Sequence, residues 1–167
     1  MTSKITVRPA RTSDVKAIQA MRQQLEGSKV LLGHELVSLY EAVPEFLVAV
    51  DEAGAVVGAG ALHVMWEDLA EVRSVVVADH MRGHGVGKAI VGALLDRADT
   101  IGTKRVFCLT FEVEFFSKFG FQEISDVPVD AETYAEMVRS NDDGVAEFLD
   151  LARVKQNTLG NTRMLRT

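Results

Sequence analysis

The chain has 167 residues, 47% of them hydrophobic and 25% charged, with a formal charge of −6. That size and balance fit one globular domain over residues 1–167 and exclude a disordered chain. The acidic total disfavours a nucleic-acid surface, no apolar run nears the roughly 20 residues that span a bilayer, and the lone Cys108 excludes an internal disulfide.

Met1 to Val7 carries no signal-peptide pattern, so a cytoplasmic location is expected. A first strand over Ile5–Arg8 leads through Pro9 to Thr12-Ser13-Asp14, residues that accept hydrogen bonds from the free amides of a first helical turn. Val15, Ile18, Met21, Arg22 and Leu25 then recur at helical spacing up to Gly27. A second helix is predicted over Glu35–Ala42, before Pro44. From there the period changes to that of strands: Phe46–Val50, a turn at Asp51–Gly54, Ala55–Met65 loosened by Gly58 and Gly60, and Ala70–Val77. A helix follows over Gly87–Ile101, with Ile90, Val91, Leu94, Leu95 and Ala98 on one side. Arg105–Thr110 reads as a strand and Val113–Phe119 as a short helix that Gly120 ends in the left-handed conformation. Ala131–Arg139 and Gly144–Leu151 are predicted helical pieces, and Thr162–Leu165 a last strand, at an edge or inserted beside an earlier one. This order indicates a mixed α/β sheet.

The chemistry starts at Arg82-Gly83-His84-Gly85-Val86-Gly87-Lys88, which joins Val75-Val76-Val77 to the helix. Glycines let backbone amides approach an anion, and the free amides and dipole of a helix N-terminus favour negative charge there. Arg82 and Lys88 add positive charge, so a phosphate-bearing ligand is expected. A Walker loop fails at Arg82 in its first glycine position and at Ala89 in its Ser/Thr position. A dinucleotide fingerprint fails because Lys88 or Ile90 stands where the third glycine belongs. The pattern Arg/Gln-x-x-Gly-x-Gly/Ala fits as Arg82, Gly85 and Gly87.

With that loop, and with Phe115-Phe116-Ser117-Lys118-Phe119-Gly120-Phe121 further on, the chain resembles the GNAT superfamily of N-acetyltransferases. The resemblance implies the GNAT fold: a mixed, mostly antiparallel sheet splayed between its fourth and fifth strands, with flanking helices. It implies acetyl-CoA as acetyl donor and no metal. The donor's pyrophosphate is expected at Arg82, Gly83, His84, Gly85, Val86, Gly87 and Lys88, and its pantetheine arm along Val75, Val76 and Val77 and beside Phe115 and Phe116. Glu71 is the candidate base, with Glu112 and Glu114 as weaker rivals. Many relatives carry a tyrosine acid where this chain has Phe116, which leaves solvent or Ser117 to protonate the departing thiolate.

Three stretches resemble, more specifically, the short amino-acid N-acetyltransferases of bacterial arginine biosynthesis: Lys29–Leu32 with Leu39–Glu41, Phe107–Thr110 running to Phe115-Phe116, and Val145–Leu151 through Asn157 to Leu165. That likeness implies acetylation of the α-amine of glutamate or glutamine. Larger forms add an amino-acid-kinase domain, for which 167 residues leave no room. An acceptor carboxylate is best held by a cation, and Lys29, Arg73 and Arg163 are the candidates, with Thr110 beside them. Cys108 reads as a buried apolar residue, Trp66 and the phenylalanines as core or pocket wall, and the four histidines show no zinc spacing. The expected partner is a small amino acid, with no nucleic acid or membrane; many relatives pair as homodimers. The alternatives are the same chemistry on another small amine or a protein amine, and a non-catalytic domain that senses acetyl-CoA.

Overall fold

The structure, a computed structural model, describes residues 4–26, 34–151 and 161–167. Its strands are β1 (Thr6–Pro9), β2 (Phe46–Val50), β3 (Val56–Trp66), β4 (Leu69–Val77), β5 (Arg105–Thr110), β6 (Gln122–Glu123) and β7 (Thr162–Arg166). Its helices are α1 (Val15–Glu26), α2 (His34–Glu41), α3 (Val86–Ile101), α4 (Val113–Ser117), α5 (Ala131–Met137) and α6 (Asp143–Phe148). The strands form one open sheet in the order β1-β2-β3-β4-β5-β7-β6, mostly antiparallel, with β4 and β5 parallel. The expected last strand is therefore an insertion between β5 and β6. The two-residue β6 is an addition to the expected elements.

The chain divides into two compact units, residues 1–62 with 72–97 and residues 63–71 with 98–167, so β3, β4 and α3 each contribute to both. In the first unit, Val15, Ile18 and Met21 bury one side of α1, as the 3.6-residue period requires. A bidentate ion pair holds the entry to that helix: Arg8 Nη1 and Nη2 donate to Asp14 at 2.8 and 3.1 Å. The same carboxylate accepts from the Arg11 amide at 2.7 Å. Gly58 and Gly60 do not loosen β3; they are where α3 presses onto it. A Cβ at Gly58 would lie 2.6 Å from Val86 Cγ1 and 2.7 Å from Ile90 Cδ1, and one at Gly60 would lie 2.8 Å from Ile90 Cγ2. Only glycine lets the helix approach that closely.

In the second unit, Leu69, Phe107, Met137, Val145, Phe148, Leu149 and Leu165 form the core. Phe107 meets Phe148 edge-on, with ring centroids 5.3 Å apart. Asp130 and Asp142 cap α5 and α6, accepting from the Thr133 and Val145 amides at 2.7 and 3.0 Å. Of the aromatics expected in the core or a pocket wall, Phe111 is 71% exposed and Trp66 36% exposed, so these two lie outside the core.

Candidate active site

In the first unit the chain leaves β4 through a single 3-10 turn at Asp79–Met81 and enters the loop at Arg82. Gly83 and Gly85 both have positive φ, +79° and +80°, and a Cβ at either would meet no atom within 4 Å. The glycines thus serve backbone conformation and leave the space outside the loop open. The Gly85 carbonyl accepts from the Ala89 amide at 3.0 Å, which begins the helical ladder of α3. The amides of the first turn before it have no intrahelical acceptor. Arg82 is exposed and lies 3.3 Å from Asp79, His84 Nδ1 lies 3.0 Å from the Arg82 carbonyl, and Lys88 is exposed. Exposed cations beside open amides at a helix N-terminus suit a pyrophosphate.

The strand before the loop holds a feature with no sequence signal. Ser74 has φ +58°, a left-handed residue in the middle of β4 and directly before Val75–Val77. Such a residue costs of order 1–3 kcal/mol and marks sites where a strand is re-aimed. Its neighbour Arg73 is half-buried, with Nη2 3.8 Å from Glu45 Oε1.

In the second unit, β4 pairs with β5 only from Leu69–Arg105 to Glu71–Phe107, while β5 continues to Thr110 along β7. Glu71, at the end of that pairing, is 2% exposed. Burial first, and the Glu71 charge second, push the Cys108 thiol far above its ordinary range. Cys108 is thereby a neutral buried thiol and no nucleophile. The Thr110 hydroxyl accepts from the Glu112 amide at 2.8 Å. On α4, Phe116 is buried, with its ring 5.1 Å from Phe115 and 5.3 Å from Phe121. Gly120 (φ +91°) ends this segment as expected, with the Phe121 amide donating back to the Phe116 carbonyl. Ser117 Oγ donates to the Val113 carbonyl at 2.7 Å, so its proton is already engaged in the helix.

The cations expected at the acceptor have different surroundings. Lys29 lies outside the described residues. Arg163 has its guanidinium 6.0 Å over the Phe107 ring and donates to three backbone carbonyls, those of Asp126 (3.0 Å), Glu147 (3.1 Å) and Phe148. Burial lowers its pKa from the ordinary arginine value, against the opposing charges of Asp150 and Asp126. Two of these carbonyls close α6, so Arg163 ties that helix to β7. Sequence reasoning missed this because a clasp on backbone carbonyls has no motif. Among the described residues no group of three histidine, cysteine or carboxylate side chains could hold a metal.

A glycine loop with open φ-positive corners, at the start of a helix that packs on two glycines of β3, is an architecture suited to binding an anion. Residues 17–121 match the family described as Acetyltransferase (GNAT), and the chain belongs to that family. It is 58% identical, over 95% of its length and 92% of the relative's, to the amino-acid acetyltransferase of Mycobacterium tuberculosis (strain H37Rv). A crystal structure of Rv2747 from the same organism, in complex with CoA and NLQ, has a TM-score of 0.89 at 56% identity, over 97% of this chain and 98% of that one. N-acetylglutamate synthase from Neisseria gonorrhoeae, complexed with coenzyme A and N-acetyl-glutamate, shares the fold at a TM-score of 0.71 and 20% identity, over 98% of this chain and 35% of that one. Within its family the chain is thus an acetyl-CoA-dependent N-acetyltransferase of the amino-acid acetyltransferase type.

Proposed function

We propose that the chain transfers the acetyl group of acetyl-CoA to the α-amine of L-glutamate or L-glutamine, as the opening step of arginine biosynthesis. The observation that supports this reading is the likeness to an amino-acid acetyltransferase over 95% of this chain and 92% of the relative. We assign the donor's pyrophosphate to the amides and cations from Arg82 to Lys88, and its pantetheine arm to the backbone of Val75, Val76 and Val77 together with Phe115 and Phe116.

Glu71 is the proposed base. An α-ammonium cannot attack, so its proton goes to the Glu71 carboxylate, directly or through water. The freed nitrogen lone pair then attacks the acetyl carbonyl carbon, the carbon–sulfur bond breaks, coenzyme A departs as a thiolate, and the second proton, lost by the acylated nitrogen, passes to the thiolate or to solvent. A thiol's reference pKa of about 8.5 makes that departure feasible near neutrality without a tyrosine acid. This suits a chain with Phe116 packed among phenylalanines. Arg73, half-buried and 3.8 Å from Glu45, is the cation we assign to the acceptor's α-carboxylate, and Thr110 is assigned as a further polar contact of the acceptor. Arg163, held by three carbonyls, is instead given a structural role.

The test is thiol release from acetyl-CoA with single amino acids. Turnover with glutamine or glutamate well above other amines is expected. Turnover only with a polyamine or a protein amine would end the substrate assignment.

A further inference from the structure

We infer that His84 binds the donor's pyrophosphate through Nε2, and only as an imidazolium, so that donor binding draws a proton onto the loop. The inference rests on the assignment of the pyrophosphate to Arg82–Lys88 and adds to it a contact that a single protonation state can make.

His84 is exposed and lies between the two left-handed glycines, Gly83 and Gly85. Its Nδ1 stands 3.0 Å from the Arg82 carbonyl oxygen. A carbonyl oxygen only accepts, so Nδ1 carries a hydrogen and donates it. In the neutral ring Nε2 then holds a lone pair and no hydrogen. Nε2 is also the nitrogen on the side of the ring away from that carbonyl. The tether to Arg82 therefore fixes the tautomer and turns the untethered nitrogen off the loop backbone.

Phosphate oxygens are charged acceptors. A neutral His84 would set the Nε2 lone pair against them, which is repulsive. Protonation replaces the lone pair with an N–H and adds a positive charge, and the contact becomes a charge-assisted hydrogen bond. Histidine side chains as a class change charge between about pH 5 and pH 8, so both states are reached around neutrality. A bound anion favours the charged ring, and by linkage the charged ring favours the anion to the same degree.

The charges around the ring leave a use for that proton. Arg82 shares its charge with Asp79, 3.3 Å away, and both are exposed. Lys88, in the first turn of α3, is an exposed permanent cation, and His80, on the 3-10 turn before the loop, is exposed as well. A pyrophosphate carries a negative charge on each phosphate, and Lys88 with a partly neutralised Arg82 does not match both. An imidazolium at His84 supplies the missing charge. The amides of the loop bind in either state, so His84 tunes donor affinity and does not create it.

The experiment uses dephospho-coenzyme A, which keeps the pyrophosphate and lacks the 3′-phosphate monoester, a group that itself titrates at about pH 6. Calorimetry in buffers of different ionisation enthalpy counts the protons taken up, and a series from about pH 5.5 to about pH 8 gives the Kd across the histidine range. The wild type is expected to take up part of a proton near neutrality and to bind about fivefold to tenfold more tightly at the acid end. His84→Ala is expected to take up none and to bind at every pH within about twofold of the wild type at its alkaline end. His84→Arg, a permanent cation, is expected to be equally flat but as tight as the wild type in acid. His80→Gln is expected to keep the wild-type slope. A wild type with no proton uptake and a flat Kd overturns the role of His84, as does a slope that survives in His84→Ala or disappears in His80→Gln; the loop assignment survives each of these. A Gly85→Val variant that binds the probe as the wild type does overturns the loop assignment and this inference with it.

Discussion

The loop that opens α3 and the elements α5, α6 and β7 are organised in opposite ways. The loop works with backbone: two left-handed glycines, the free amides of a helix start and open space around them. The α5–β7 segment works with side chains acting on backbone: aspartate caps on α5 and α6, an arginine over a phenylalanine ring holding three carbonyls, and an asparagine acceptor without a partner. A backbone site of this kind suits an anion and tolerates changes of side chain so long as φ is kept. An arrangement of side chains changes one residue at a time. The donor region should therefore break through glycine substitutions that alter cofactor affinity, and the second unit through polar substitutions that alter turnover.

The largest effect is expected from Glu71→Gln. Removing a general base typically costs 10²–10⁴-fold. The variant should lose about 10²-fold or more in kcat with the acetyl-CoA KM nearly unchanged. Without the base, the rate follows the fraction of free amine in solution, which rises tenfold per pH unit below the amine's pKa. The deficit should thus be deepest at low pH and shrink as pH rises, measured by thiol release across a pH series. A deficit of the same size at every pH would remove Glu71 as base.

Next comes the loop. Gly85→Val places a branched side chain at φ +80°, which only glycine adopts freely, and projects it into the space a pyrophosphate would occupy. The acetyl-CoA KM should rise tenfold or more while kcat at saturation falls less. A normal KM would contradict the loop assignment. Gly58→Ala probes the same region from beneath. Its Cβ would stand 2.6 and 2.7 Å from Val86 and Ile90 side chains and 3.3 Å from the Val76 carbonyl. Overpacking of this kind costs about 1–3 kcal/mol, a fall of roughly 2–10 °C in Tm for a chain of this length, read by thermal melting. Because Val86 opens α3, the acetyl-CoA KM should rise with it.

These variants also mark what could be read from sequence. The Arg82–Gly87 loop and the Phe115–Phe121 stretch were legible because local rules require them: helix starts, glycines at positive φ and a left-handed terminator each have a residue signature. The strand runs were legible from their period. Gly58 and Gly60 were visible but misread as loosening, since a glycine in a strand does not say what approaches it. Ser74 had no signal, because a serine at φ +58° is held there by its surroundings. The two-residue β6 is too short to have a period. Arg163 looked like any tail cation; only the carbonyls of Asp126, Glu147 and Phe148, brought to it by tertiary packing, define its role. The glycine loop is thus local in sequence, and the Arg163 clasp is assembled by the fold.

The smallest expected effect compares the two units through a matched pair of clips. Arg8 holds Asp14 in the first unit, and Arg105 holds Asp68 in the second, through Nε at 2.8 Å and Nη2 at 3.2 Å. In each, the arginine's hydrogen bond is the main cause that lowers the aspartate pKa below its ordinary value. A carboxylate with a lowered folded pKa contributes stability above its unfolded value, about 3.9, and loses it as pH falls through the folded value. Asp14 has a side chain only 7% exposed and Asp68 one 48% exposed, so solvent screens the second clip far more. Asp14→Asn should therefore cost about 2 kcal/mol at pH 7, and Asp68→Asn about 0.5 kcal/mol or less. Urea midpoints at neutral pH and near pH 3 measure both gaps. Each should narrow in acid, because the wild-type carboxylate is itself becoming neutral. A gap at Asp14 that stays constant over that interval would show that shape and hydrogen bonding hold the start of α1, with no contribution from the charge.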